Sequence, residues 1–122
     1  MADHGKIEWR DLTVGDAESI THFYCEVVGW RSSPVSMGEY NDFNILDSNG
    51  ETVAGICHAR GGNAGLPSQW LMYVRVANVK DSIAKCEQLG GKVIDGPREM
   101  CGEQFCVVQD PQGAVLGLMS KE

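Results

Sequence analysis

The stretch Asp110-Pro111-Gln112-Gly113, with Val115-Leu116-Gly117-Leu118 behind it, has a counterpart half a chain earlier. That counterpart is Asp47-Ser48-Asn49-Gly50 followed by Val53-Ala54-Gly55-Ile56, at offsets of 63 and 62 residues. Working outward, Cys86-Glu87-Gln88-Leu89-Gly90 resembles Cys25-Glu26-Val27-Val28-Gly29 at an offset of 61. Val74-Arg75-Val76-Ala77-Asn78 resembles Leu12-Thr13-Val14-Gly15-Asp16 at 62. Each match alone is weak. Four in the same order, at nearly one offset, read as a duplicated module rather than a solenoid array. The 122 residues then form a single domain, 1–122, with one module over about 6–60 and a second over about 69–120.

Local patterns give both copies one plan. Residues 7–14 alternate and carry β-branched side chains, which predicts a strand. Asp16 is placed to cap a helix, and Ile20, Phe23, Tyr24, Val27 and Val28 recur at helical spacing as its apolar face. Gly29 suits the left-handed end of that helix. Strands near 30–37, 41–47 and 52–59 follow, the last two joined through Asp47-Ser48-Asn49-Gly50. In the second copy 71–76 is a strand and Asn78 caps a helix whose apolar face includes Val79, Ile83, Cys86 and Leu89. Gly90-Gly91 ends that helix, and strands near 92–95, 104–109 and 114–119 complete the copy. The Gly-rich stretch 61–68, with Pro67, reads as the linker.

Composition narrows the function. Ten Lys+Arg against 17 Asp+Glu leave a net charge of −7. That balance argues against nucleic acid and against an anionic membrane surface, both of which call for a basic face. No apolar run approaches the ~18 residues of a membrane helix, and the first residues lack the apolar core of a secretory signal. The five cysteines, Cys25, Cys57, Cys86, Cys101 and Cys106, are odd in number and form no C-x-x-C. They read as reduced thiols of a cytoplasmic protein.

Asp16…Phe23-Tyr24…Gly29-Trp30, together with Asp110-Pro111-Gln112-Gly113, resembles the vicinal oxygen chelate superfamily: the glyoxalase, bleomycin-resistance and extradiol dioxygenase group. The likeness covers about 7–119. It implies an α+β fold of two tandem βαβββ modules whose curved mixed sheets enclose a cavity, usually around a divalent metal. It also implies a homodimer. In that superfamily each module supplies one metal ligand from its first strand and one from its last. Carried onto this chain, those positions fall on Trp9, Gly55, Leu71 and Gly117. None bears the imidazole, carboxylate or thiolate that a divalent metal needs. The reading is therefore a cavity with no metal and no cofactor. A one-residue slip of register would bring Glu8 and His58 forward as ligands instead.

Strand alternation extends the set. With Trp9 facing inward, so do Asp11 and Thr13, while Leu12 and Val14 pack under the helix. With Leu71 go Tyr73 and Arg75, while Met72, Val74 and Val76 pack beneath. Cys57 accompanies Gly55, and Val115 and Met119 accompany Gly117. The candidate ligand-binding residues are thus Trp9, Asp11, Thr13, Cys57, Leu71, Tyr73, Arg75, Val115 and Met119, an apolar wall with a few polar groups. Trp9 and Tyr73 either line this space or fill it. Arg75 and Asp11 can pair internally, or Arg75 can take a carboxylate or phosphate of a ligand. Cys57 beside His58 suggests a nucleophile and base, but strand neighbours face opposite ways. Cys25 and Cys86 read as core, and Cys101 and Cys106 as a hairpin pair. Catalytic residues stay unassigned. The leading reading is metal-free binding of a small organic molecule. The alternatives are a divalent-metal-dependent lyase, isomerase or dioxygenase, and a structural module with a filled interior.

Overall fold

The computed structural model describes residues 4–121. Its elements run β1 (Ile7–Val14), α1 (Ala17–Val28), β2 (Arg31–Ser36), β3 (Asn41–Leu46), β4 (Thr52–His58), β5 (Trp70–Arg75), α2 (Val79–Gln88), β6 (Lys92–Met100), β7 (Glu103–Gln109) and β8 (Val115–Ser120). A short 3-10 turn covers Gly61–Asn63. The fold is α+β, with strand, helix and three strands occurring twice.

The chain divides into two compact units. One holds Arg10–Trp70; the other joins everything from Leu71 onward to the first strand residues up to Trp9. The division falls after Trp70, beyond the predicted linker, and Leu66 within that stretch is buried.

In the first unit the strands lie in the order β2-β3-β4-β1, with β1 parallel to β4 and the other pairs antiparallel. Asp16 Oδ1 accepts the Ser19 N–H at 3.1 Å, which satisfies one orphan donor at the start of α1. Gly29 ends the helix at φ 86°, and its N–H donates to the Cys25 carbonyl. The core between α1 and its sheet joins Ala17 of the helix to Leu12, Ile45, Ala54 and Ile56, with Ile20, Tyr24, Phe43 and Trp30 packed around them. Each fully buried isoleucine contributes about 1.5–3 kcal/mol of hydrophobic stabilisation. Trp70 meets Tyr24 and Trp30 edge to face at 5.3 and 5.8 Å.

The second unit repeats the order as β6-β7-β8-β5, with β5 parallel to β8. Asn78 Oδ1 accepts the Asp81 N–H, and the buried Ser120 hydroxyl accepts the Val79 N–H at 3.0 Å. The core under α2 contains Val79, Cys106, Val108 and Leu118, flanked by Val74, Val76 and Ile83. The duplication reaches single bonds. Asp47 Oδ1 accepts the N–H groups of Asn49 and Glu51, and Asp110 Oδ1 accepts those of Gln112 and Ala114. Gly50 and Gly113 each donate to the carbonyl of their own aspartate at 3.0 Å.

Four expectations change. Phe23 and Val27 are 50% and 64% exposed, and Val28 is exposed as well. The packed stripe of α1 is Ala17, Ile20, Thr21 and Tyr24; the apolar pattern is wider than the face that meets the sheet. Leu89 is 75% exposed because the helix has ended before it. Met72 is exposed rather than packed beneath its sheet. The strand expected at 92–95 continues to Met100, its pairing with β7 interrupted by irregularities between Val93 and Arg98.

Candidate functional site

Register places Asp11, Thr13 and Cys57 in the first unit, and Tyr73, Arg75, Val115 and Met119 in the second, on the sheet face opposite the helix. In the first unit Asp11 pairs with Gly55 and Thr13 with Cys57. Cα partners across a pair share a face, so Asp11, Thr13 and Cys57 lie together, while Leu12 and Ile56 turn to the core. The Cys57 thiol donates to Asp11 Oδ1 at 3.5 Å. Burial, and then the charges of Asp11 and Asp42, push the Cys57 thiol well above the ordinary range. It is a neutral group rather than a thiolate nucleophile. His58 does not pair with it. The His58 N–H donates to Asp42 Oδ1 at 2.9 Å, and Nδ1 lies 3.4 Å from the same oxygen. Tyr40 sets its ring against His58, with the Arg60 guanidinium 4.0 Å above the Tyr40 centroid.

In the second unit Tyr73 pairs with Gly117 and Arg75 with Met119. Leu71, Tyr73, Arg75 and Met119 are all buried, and Val115 is half-buried. The Tyr73 ring lies directly over Gly117 and meets Phe105 edge to face at 5.9 Å. Trp9 is half-buried. The expected partner of Arg75 was Asp11, and the structure corrects it. Arg75 Nε donates to Glu8 Oε1 at 3.1 Å and Nη2 to Glu8 Oε2 at 2.8 Å. Its Nη1 lies 2.8 Å from Glu103 Oε1. These bonds hold the Glu8 carboxyl below the usual carboxylate range and raise the arginine further. Asp11 meets Cys57, whereas Glu8 is the acid of the first strand that reaches the guanidinium.

Sequence reasoning missed Glu103, Asp42 and Phe105. Alternation gives each a face, but only the strand registers name its neighbours. Asp42 reaches Cys57 and His58 across β3–β4, and Glu103 reaches Arg75 from β7, beyond β8. Cys101 is exposed and Cys106 buried, both as free thiols, and burial pushes Cys106 up to about 12. Cys25 and Cys86 are half-buried.

A divalent ion of the kind the resemblance implies does not fit these residues. A Cβ at Gly117 would already stand 2.5 Å from Tyr73 Cε2, so the ring fills the space of a longer ligand side chain. Glu8 and His58, the two candidates from a shifted register, are engaged by Arg75 and Asp42. Among the described residues no group of three or more His, Cys, Asp or Glu is disposed to hold a metal ion. No step is assigned to a metal.

Duplicated βαβββ units and this site position define a class. The chain matches the Glyoxalase/Bleomycin resistance protein/Dioxygenase superfamily over residues 6–118 and belongs to it. It is 27% identical over 116 residues to CFP32 of Mycobacterium tuberculosis, provisionally named a glyoxylase, covering 94% of this chain and 44% of that one. It is 26% identical over 130 residues to the anthracycline biosynthesis protein DnrV of Streptomyces peucetius, covering 96% and 47%. The chain thus spans less than half the length of these relatives. Among solved structures, a Streptomyces coelicolor methylmalonyl-CoA epimerase variant with 2-nitronate-propionyl-CoA matches at TM-score 0.55 and 15% identity, covering 97% of this chain and 98% of that one. A superfamily member from Vibrio splendidus matches at TM-score 0.56 and 10% identity, covering 94% and 99%. These structures share the fold. Among the described residues no helix is long and apolar enough to cross a membrane.

Proposed function

We propose that this protein binds a small organic molecule without a metal, using the sheet faces turned away from α1 and α2. Trp9, Leu71, Tyr73, Val115 and Met119 supply apolar contact, and Asp11, Thr13, Cys57 and Arg75 the polar groups. The observation that carries the reading is the Tyr73 ring seated on Gly117, the position onto which the resemblance carries a metal ligand. An apolar and aromatic wall with sparse polar groups is the usual make-up of a small-molecule site. The neutral Cys57 thiol supports binding rather than nucleophilic chemistry. The resemblance adds a homodimer, for which light scattering supplies the test, and the cysteine pattern adds a cytoplasmic location.

Two measurements decide the main claim. Metal analysis of protein purified without chelator should find no stoichiometric divalent ion. A metabolite panel should contain a compound that raises the melting temperature, since ligand at 100 times its Kd adds about 2.7 kcal/mol. A bound divalent ion at one per chain sinks the metal-free reading. A panel without any stabilising compound sinks the binding reading.

A further inference from the structure

Arginine facing a binding surface is ordinarily a receptor for carboxylate or phosphate, through its planar fork of N–H donors. Here the fork is already occupied. Glu8 takes Nε and Nη2 at 3.1 and 2.8 Å; Glu103 lies 2.8 Å from Nη1 and accepts from Nη2 at 3.3 Å. The arginine side chain is 8% exposed, against 27% and 24% for the two glutamates. The acids therefore stand nearer to solvent than the cation they enclose. One positive and two negative charges leave the trio net negative. In the same unit, on β6, the Arg98 guanidinium is 2.9 Å from Asp95. Beyond the trio, Lys6 and Lys121 act electrostatically on Glu8, and the Tyr73 and Phe105 rings and the Met119 side chain share the face with Arg75.

We propose that Glu8 and Glu103 are specificity-determining residues that turn Arg75 from an anion receptor into a neutralised strut, so that this face selects uncharged aromatic or apolar ligands and rejects carboxylate- and phosphate-bearing ones. The proposal rests on the reading of this face as a small-molecule site and specifies what it takes. An incoming anion has to displace a carboxylate that makes two charge-assisted bonds, and it then stands beside the remaining one. An uncharged ring needs only the aromatic contacts and leaves the trio intact.

The test uses three probes of one shape, 2-naphthol, 2-naphthoate and 2-naphthylmethylamine, titrated by calorimetry into the full chain. Wild type should bind naphthol at least about tenfold more tightly than naphthoate. In E8Q/E103Q the amides keep hydrogen-bond acceptors but release the charge of Arg75, and the naphthoate preference should rise about tenfold or more. Single E103Q, in which Glu8 still bridges Arg75, should give a smaller rise in the same direction and serves if the double variant fails to fold. E8Q/R75M/E103Q should keep naphthol binding and gain no naphthoate binding. E18Q/E26Q changes the net charge of the protein as much as E8Q/E103Q does, at two exposed positions of α1. It should leave the preference unchanged. Equal binding of naphthoate and naphthol by wild type overturns the proposal. So does an equal shift in E18Q/E26Q, or tightest binding of the amine. If none of the three probes binds any variant, the small-molecule reading of this face falls, and the charge rule with it.

Discussion

Replacing Gly117 by alanine tests the most confined point of the candidate site. A Cβ built there lies 2.5 Å from Tyr73 Cε2 and 2.7 Å from Cγ, and nearer still to Cδ2. Carbon atoms prefer about 3.5–4.0 Å, so the ring has to retreat by about 1 Å. It has little room, because Tyr73 is buried and Phe105 stands against it. Overpacking of this kind costs about 1–3 kcal/mol. Alanine recovers roughly 0.5–1 kcal/mol through the reduced freedom of the unfolded chain. The net expectation is a loss of about 1–2 kcal/mol, which at this chain length lowers Tm by very roughly 3–10 °C. Urea denaturation of G117A, Y73A and G117A/Y73A forms the cycle. Y73A alone should lose about 3–5 kcal/mol through its cavity. In that background the alanine at 117 has free space, so only its gain of roughly 0.5–1 kcal/mol should remain, giving a coupling of about 1–3 kcal/mol. A G117A protein within 0.5 kcal/mol of wild type, or an equal penalty in both backgrounds, would refute the reasoning.

The two aspartate turns should respond alike: D47A and D110A each strip an acceptor from two backbone N–H groups and should each cost about 1–2 kcal/mol by urea denaturation, and a silent turn would break the equivalence. Mass spectrometry after iodoacetamide treatment of native protein at pH 8 should show Cys101, which is exposed, alkylated well before Cys57, whose thiol is raised by burial and two carboxylates; reversal of that order would contradict the assignment. Glu8 has its folded pKa depressed below the ordinary 4.5, so its contribution is complete above the unfolded value and is lost as pH falls through the folded one. Stability curves from pH 6 to 2.5 should therefore be shallower below about pH 4.5 for E8Q than for wild type, and identical slopes would show that the pairing is not felt.

Elements that declare themselves locally were readable from the sequence. Asp16, Asn78, Gly29 and the two aspartate turns act within a few residues, and each occupies its expected role. Face assignments were legible where alternation is regular, as in Asp11 and Thr13 against Leu12 and Val14. Helix α1 was harder, because an apolar stripe that includes Phe23 and Val27 does not reveal which part of its width meets the sheet. The partners of Arg75 were out of reach. They lie 67 and 28 residues away in sequence, and nothing local distinguishes Glu8 or Glu103 from the other acids. The same limit hid Asp42, whose place beside Cys57 depends on the register of β3 on β4.

The Tyr73–Gly117 pairing also works as a ratchet. To install a carboxylate ligand at residue 117, a lineage would have to change two positions. Changing 117 first drives a side chain into the ring, and changing 73 first leaves a hole where the ring was. Either order passes through a weakened protein, while the present pair is stable as it stands. Single-step drift is therefore steered toward new surfaces around a fixed aromatic floor, and away from acquiring a metal at this position.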